Sequence, residues 1–144
     1  MIRIALPVVL LVTTLVACGD SGSPPASPTP AGVPFSSTDL VVGTGAEATN
    51  GKTLTVNYTL WLYSDSAADH KGTQVQTNVG GSPFMFALGA GRVIAGWDQG
   101  VPGMKVGGRR ELVIPPSLGY GATAQPGIPS NSTLVFDIDL LGVQ

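Results

Sequence analysis

Cysteine, histidine and charge are scarce in this sequence of 144 residues. It has one Cys and one His, and charged residues make up 11% of it, against roughly 25% in average soluble domains. A lone Cys excludes an internal disulfide, and a chain with one Cys and one His cannot build a Cys/His zinc site. Seven basic and nine acidic residues leave a net charge of −2, with no electrostatic footprint for nucleic acid. Helical periodicity is nearly missing too. The best candidate is one or two turns at Ala95–Val101, weakened by Gly96 and Gly100. No unit of roughly 20–50 residues repeats, which excludes a solenoid or a propeller. Glycine (20) and proline (12) are plentiful, and they are unevenly spread.

Arg3 is the only charged residue before Asp20, and residues 4–17 are almost wholly apolar. A basic start, about a dozen apolar residues and small residues ahead of a cut describe a secretory signal. The run is shorter than the roughly 20 residues of a membrane span. Its end, Leu15-Val16-Ala17-Cys18, resembles the bacterial lipobox. That resemblance implies that Cys18 becomes the mature N-terminus and carries lipid; the alternative is an ordinary cleaved signal with a coincidental Cys. Two or three acyl chains, at about 0.8 kcal/mol per buried methylene, make a stable anchor. Residues 1–18 are therefore expected to be a lipoprotein signal. The protein is expected to be exported and lipid-anchored to the cell envelope, on the periplasmic face or at the outer membrane. Gly19 is not the Asp that the common rule associates with inner-membrane retention.

Residues 19–36 are rich in Gly, Ser, Ala and Pro, with Pro24, Pro25, Pro28, Pro30 and Pro34 among them. Such a stretch has little to bury and reads as an extended, semi-rigid linker. Within it, Gly19-Asp20-Ser21-Gly22 imitates the nucleophile segment of trypsin-like proteases. The only histidine is His70, and a serine without a positioned base is inert.

Residues 37–144 read as one folded domain. Leu54, Val56, Tyr58, Leu60 and Leu62 alternate with Thr53, Thr55, Asn57, Thr59 and Trp61, a period of two that describes a long half-buried strand. Residues 133–141 alternate likewise, with Leu134, Phe136, Ile138 and Leu140 on one face and Asp137 and Asp139 on the other. Shorter strands are expected at 40–42, 75–77, 84–87 and 109–114, and Asn50-Gly51 signals a turn. An antiparallel sheet facing one short helix is an α+β arrangement. Gly43-Thr44-Gly45 fits a dinucleotide fingerprint only superficially, because a turn and a strand follow where a helix should open. Asp65, Asp69 and His70 share a polar loop that reads as solvated rather than metal-binding. No cofactor and no metal is expected.

The distinctive residues are aromatic: Tyr58, Phe84, Phe86, Trp97, Tyr120 and Phe136, spread over several strands or loops and one helix. Spacing alone does not separate a core from a pocket. The segments Val56-Asn57-Tyr58-Thr59, Pro83-Phe84-Met85-Phe86-Ala87-Leu88-Gly89 and Arg92-Val93-Ile94-Ala95-Gly96-Trp97-Asp98-Gln99-Gly100-Val101 resemble FKBP-type peptidyl-prolyl cis–trans isomerases. So do Met104-Lys105-Val106-Gly107-Gly108, Ile114-Pro115-Pro116-Ser117-Leu118-Gly119-Tyr120-Gly121 and Thr133-Leu134-Val135-Phe136, in order from about Leu40 to Val143. The resemblance implies a five- or six-stranded antiparallel sheet wrapped around one short helix, with a shallow apolar pocket between them. It implies Trp97 as the pocket floor and Tyr58, Phe84 and Phe136 as walls, completed by Val93, Ile94 and Ile128. The Ile94 N–H and the Tyr120 hydroxyl would bond substrate carbonyls. Tyr58, Trp97, Tyr120 and Phe136 are the residues it assigns to catalysis. It implies proline-containing clients and macrolide ligands such as tacrolimus, and a monomer is expected.

One departure matters. The family usually has Phe-Asp after the first long strand, and here Val75 and Gln76 take those positions among the substrate-binding residues. Gln76 can hydrogen-bond but supplies no carboxylate, and Val75 removes an aromatic wall. The loop from Tyr63 to Gly72 is several residues longer than in the minimal domain, and one residue is missing near Ile128-Pro129. Two readings follow: a tethered prolyl isomerase acting on exported proteins, or a proline-binding or chaperone module that kept the pocket and lost turnover. A purely structural lipoprotein is a third, in which the aromatics serve only as core.

Overall fold

A computed structural model describes residues 32–144, so the expected signal, Cys18 and most of the linker lie outside the described residues. In chain order the elements are β1 (Ser36–Val41), β2 (Thr53–Tyr63), β3 (Lys71–Thr77), β4 (Phe84–Ala87), α1 (Ala95–Gly100), β5 (Arg109–Ile114), a 3-10 turn (Pro116–Leu118) and β6 (Leu134–Val143). The strands form one six-stranded sheet in the order β1-β5-β6-β2-β3, with β4 pairing β2 as well. All its pairings are antiparallel. This is the expected α+β architecture with six strands.

The central pair is β2 and β6, joined over nine register positions from Leu54↔Val143 to Leu62↔Leu134. Alternation sends Leu54, Val56 and Leu60 of β2, and Leu134, Phe136, Ile138 and Leu140 of β6, into the core that faces α1. Thr59 and Asp137 are paired across the same strands on the outer face. The long strands follow the pattern read from the sequence, and the edge strands extend beyond it. β1 begins at Ser36 rather than position 40, and β3 at Lys71 rather than position 75. Both lie at sheet edges, where backbone pairing to β5 or β2 defines the strand. All six residues of β1 are exposed, so no burial pattern marks it. Phe35, just before β1, packs against the core.

The two glycines that weaken α1 as an isolated helix let it lie against the sheet. A Cβ on Gly96 would come within 2.6 Å of the Ile114 side chain, and one on Gly100 within 2.6 Å of Leu112. The two positions are one helical turn apart and share the face toward β5. Arg110 fixes the C-terminal end of α1. Its guanidinium donates to Gly100 O at 2.7 Å and Pro102 O at 3.0 Å, and it forks onto Asp39 of β1 at 2.6 and 3.1 Å.

Candidate functional site

β2 brings Tyr58 to the face of the sheet beneath α1, and β6 brings Phe136, because both positions share the inward parity of their strands. β4 brings Phe84 and Phe86, two residues apart on the same face, with rings stacked at 5.7 Å. α1 brings Trp97, buried to 4% exposure. Tyr120 arrives from the 3-10 turn after β5 and is 37% exposed.

Trp97 is the hub. Its ring meets Tyr58 and Phe136 at 5.3 Å, Phe86 at 5.4 Å and Phe84 at 6.1 Å, each edge to face. Such pairs are worth about 0.5–1.5 kcal/mol each beyond area burial. Above them lies an open cavity of about 170 Å³, lined by Tyr58, Leu60, Gln76, Phe84, Arg92, Val93, Ile94, Trp97, Tyr120 and Phe136. Drug-sized sites run to roughly 300–1,000 Å³, so this one takes a single small ring. Phe136, like Trp97, is 4% exposed; the two close the base of the cavity and belong to the core at once.

The polar groups are few. Burial raises the Tyr58 phenol above its ordinary value of 10, and the neighbouring Tyr120 phenol adds to the shift. The Tyr58 hydroxyl is thus a neutral hydrogen-bonding group throughout the physiological range. Ile94 is the residue before α1; its carbonyl accepts from the Trp97 N–H at 3.0 Å. Asp98, in the first turn of α1, accepts from the N–H groups of Gly89 and Gly91 at 3.0 and 3.2 Å, which ties the preceding turn to the helix.

Of the residues singled out in the sequence, the structure gathers Tyr58, Gln76, Phe84, Val93, Ile94, Trp97, Tyr120 and Phe136 around the cavity. Val75 and Ile128 are not among the lining residues. Ile128 is turned into the core, 5% exposed, by paired backbone bonds with Gln125. Val75 is the extra residue where β3 bulges between Gln74 and Gln76, opposite Trp61 and Leu60, and it packs against the edge of the core. His70 stacks on Tyr63 at 4.9 Å, away from the cavity. Gly43 lies tight against the backbone of Lys105 and Val106, and no helix follows it. Among the described residues, no three His, Cys, Asp or Glu side chains gather to hold a metal.

Three residues escaped the sequence reading. Leu60 lines the cavity and shares the parity of Tyr58, so alternation pointed to it. Arg92 also lines it, and a charged residue ahead of a helix carries no such signal. Asn78 acts from behind. β3 and β4 pair successive parts of one edge of β2, and the gap between them falls at Asn57 and Tyr58. The Asn78 amide fills that gap. Its Oδ1 accepts from the Tyr58 N–H at 2.7 Å, and its Nδ2 donates to Val56 O and Ser82 O at 3.3 Å. The backbone that carries the Tyr58 wall is held by a side chain standing in for a missing strand residue.

Comparison with known proteins agrees with this geometry. The family model for FKBP-type peptidyl-prolyl cis-trans isomerase matches residues 45–141. The chain belongs to that family. It is 45% identical over 106 residues to the FK506-binding protein of Neisseria meningitidis serogroup A, covering 73% of this chain and 92% of that protein. FK506-binding protein 4 of Neurospora crassa is 48% identical over 106 residues, 74% of this chain and 21% of that protein. The chain thus spans about a fifth of the length of such larger relatives. Among solved structures, that of FkpA from Escherichia coli superposes with a TM-score of 0.64 at 39% identity, over 76% of this chain and 48% of that one. The crystal structure of AtFKBP13 does so with a TM-score of 0.65 at 35% identity, over 76% and 93%. The family fold is therefore nearly all of what residues 32–144 build.

Proposed function

We propose that this chain accelerates cis–trans rotation about X–Pro bonds in polypeptide clients, with the prolyl ring seated on Trp97. The observation that carries the proposal is the ring-sized cavity with an aromatic floor and walls. An X–Pro bond rotates over a barrier of about 20 kcal/mol because rotation breaks amide resonance. The planar amide is more charge-separated than the twisted one. A pocket of aromatic rings with few donors complements the twisted, less polar amide better than the planar one, and only such differential binding speeds the step. The Tyr120 hydroxyl and the Ile94 N–H are proposed to bond substrate carbonyls, which would hold the segment while the amide turns. Nothing in this chemistry calls for a nucleophile or a metal. Macrolides of the FK506 type, which the names of the relatives carry, are proposed to place one ring in the same cavity.

The test is a peptide isomerisation assay with Leu-Pro and Phe-Pro substrates. Acceleration above the uncatalysed rate is expected, and its absence in the folded chain ends the proposal. A second reading, proline binding without turnover, draws on the neutral Gln76 in the lining. Under it, the double variant Val75→Phe/Gln76→Asp gains rate; an unchanged rate removes its motive.

The proposal extends to location. The sequence Leu15-Val16-Ala17-Cys18 supports lipidation at Cys18 and anchoring of an exported protein to the bacterial envelope, with residues 19–36 as tether and exported proteins as clients. Cys18→Ser should move the protein from the membrane to the soluble fraction of a bacterial host. Equal partitioning of the two forms would refute the anchor.

A further inference from the structure

Among the residues that line the cavity, Arg92 is the only one that carries a charge. Its side chain is exposed at the rim, and among the described residues no carboxylate forms an ion pair with it. The acid nearest in sequence, Asp98, is not in the lining, and its two oxygens are taken up by the N–H groups of Gly89 and Gly91. Gln76 supplies the lining with a neutral amide, and the Tyr58 phenol is held protonated by burial. The site is therefore an apolar box with one uncompensated positive charge at its edge.

We propose that Arg92 is a specificity-determining residue, and that it makes the site favour an acidic over a basic side chain next to the proline. The proposal rests on the isomerase reading of the same cavity. Low-dielectric walls beside a single-sign charge focus its field onto whatever enters. A carboxylate about 6 Å from the guanidinium gains, and an ammonium loses, enough in a largely aqueous dielectric to separate the two by about tenfold. The chain as a whole carries a charge of −2, which would steer positive peptides instead. The sign of the preference thus distinguishes the local charge from the global one.

The experiment measures kcat/KM for two peptide pairs on the full chain, one with Glu or Lys immediately before the proline and one with Glu or Lys immediately after it. At low salt, Glu should be preferred over Lys by about tenfold in at least one pair, and about 500 mM salt should shrink the ratio to below about threefold. Arg92→Gln should bring the ratio close to one, and Arg92→Glu should invert it. Because the ratio is taken within each variant, a change common to all peptides cancels. Equal rates for Glu and Lys in both pairs overturn the proposal, as does a preference for Lys. So does a Glu preference that persists in Arg92→Gln. If no peptide is turned over, the isomerase reading fails by itself. The same ratio is then read from peptide affinities through the change in the chain's tryptophan fluorescence on binding, with tighter Glu peptides supporting the role of Arg92 and equal affinities refuting it.

Discussion

The two faces of the central strands divide the molecule's chemistry between them. On the inner face, β2 and β6 present Tyr58, Leu60, Phe136 and Ile138; on the outer face the intervening positions are Thr59, Trp61, Asp137 and Asp139. The inner face has rings at 5.3–6.2 Å around Trp97 and Tyr58. The outer face has ion pairs. Lys71 reaches across from β3 to Asp137 at 2.9 Å and Glu111 at 3.0 Å, with its ammonium 4.9 Å from the Trp61 ring. Arg109 forks onto Asp139 at 2.9 and 3.0 Å. Burial by itself would lower the Lys71 pKa, but the two carboxylates outweigh it and hold the ammonium above its ordinary value. A charge-poor chain has therefore placed paired charges where they bind strands together. The cavity face carries only the unpaired charge of Arg92.

Trp97 is where that division fails, and changing it has the largest expected effect. It is core and cavity floor together, so Trp97→Ala should cost about 3–5 kcal/mol of stability and abolish isomerisation in the molecules that remain folded. Trp97→Leu keeps apolar bulk at the same place and should recover part of the stability but little of the rate. Its indole Nε1 is buried with no acceptor among the described residues, so neither change breaks a hydrogen bond between them. Denaturant unfolding alongside the peptide assay separates the two effects; a Leu variant with full activity would show that the floor needs only bulk. Next comes the outer face. Lys71→Met leaves Glu111 and Asp137 facing each other at a site where the lysine side chain is 16% exposed. A loss of about 1–3 kcal/mol is expected, smaller than for a fully buried pair because water still screens it. The rate per folded molecule should not change. A drop in kcat/KM at constant fold would mean that the two faces are coupled through β2 and β6.

How far each face was legible follows from the same alternation. The inner face announced itself, because Leu54, Val56, Tyr58 and Leu60 and then Leu134, Phe136, Ile138 and Leu140 repeat every second residue. The family motifs then supplied the cavity around them. The edges did not. Ser36-Ser37-Thr38-Asp39 and Lys71-Gly72-Thr73-Gln74 become strands through backbone pairing, which leaves no apolar period in the sequence. Gly96 and Gly100 counted against a helix, and their reason lies in two side chains of β5. Asn78 was illegible because its role depends on a gap between two strands that pair a third. Ile128 and Val75 were assigned to the site by position in a motif; a local turn carries Ile128 into the core, and Val75 packs at the core's edge where β3 bulges, a break in alternation that the sequence does not signal.

A smaller effect isolates the cavity from the core. Tyr120 is 37% exposed, so Tyr120→Phe should alter stability by no more than about 0.5 kcal/mol. Loss of one hydrogen bond to the bound segment should lower kcat/KM by up to about tenfold. Retention of the full rate would remove the hydroxyl from the mechanism and leave the rings alone to act.

The smallest effect tests the periphery, where β1 is joined to β5. The hydrogen bonds from Arg110, aided by its charge, hold the Asp39 carboxyl below its ordinary value of 3.8, against a weaker opposing effect of burial. A carboxyl whose folded value is depressed contributes stability above its unfolded value and loses it as the pH falls through the folded one. The stability difference between the wild type and Asp39→Asn should therefore be fully present at neutral pH and begin to shrink below about pH 4. It should vanish once both states are protonated. Because Asp39 is well exposed, the difference should also narrow with added salt. Unfolding curves for the two proteins across the acid range give the answer. The absence of any difference at neutral pH would show that Arg110 is held in place by its bonds to Gly100 and Pro102, with Asp39 a bystander.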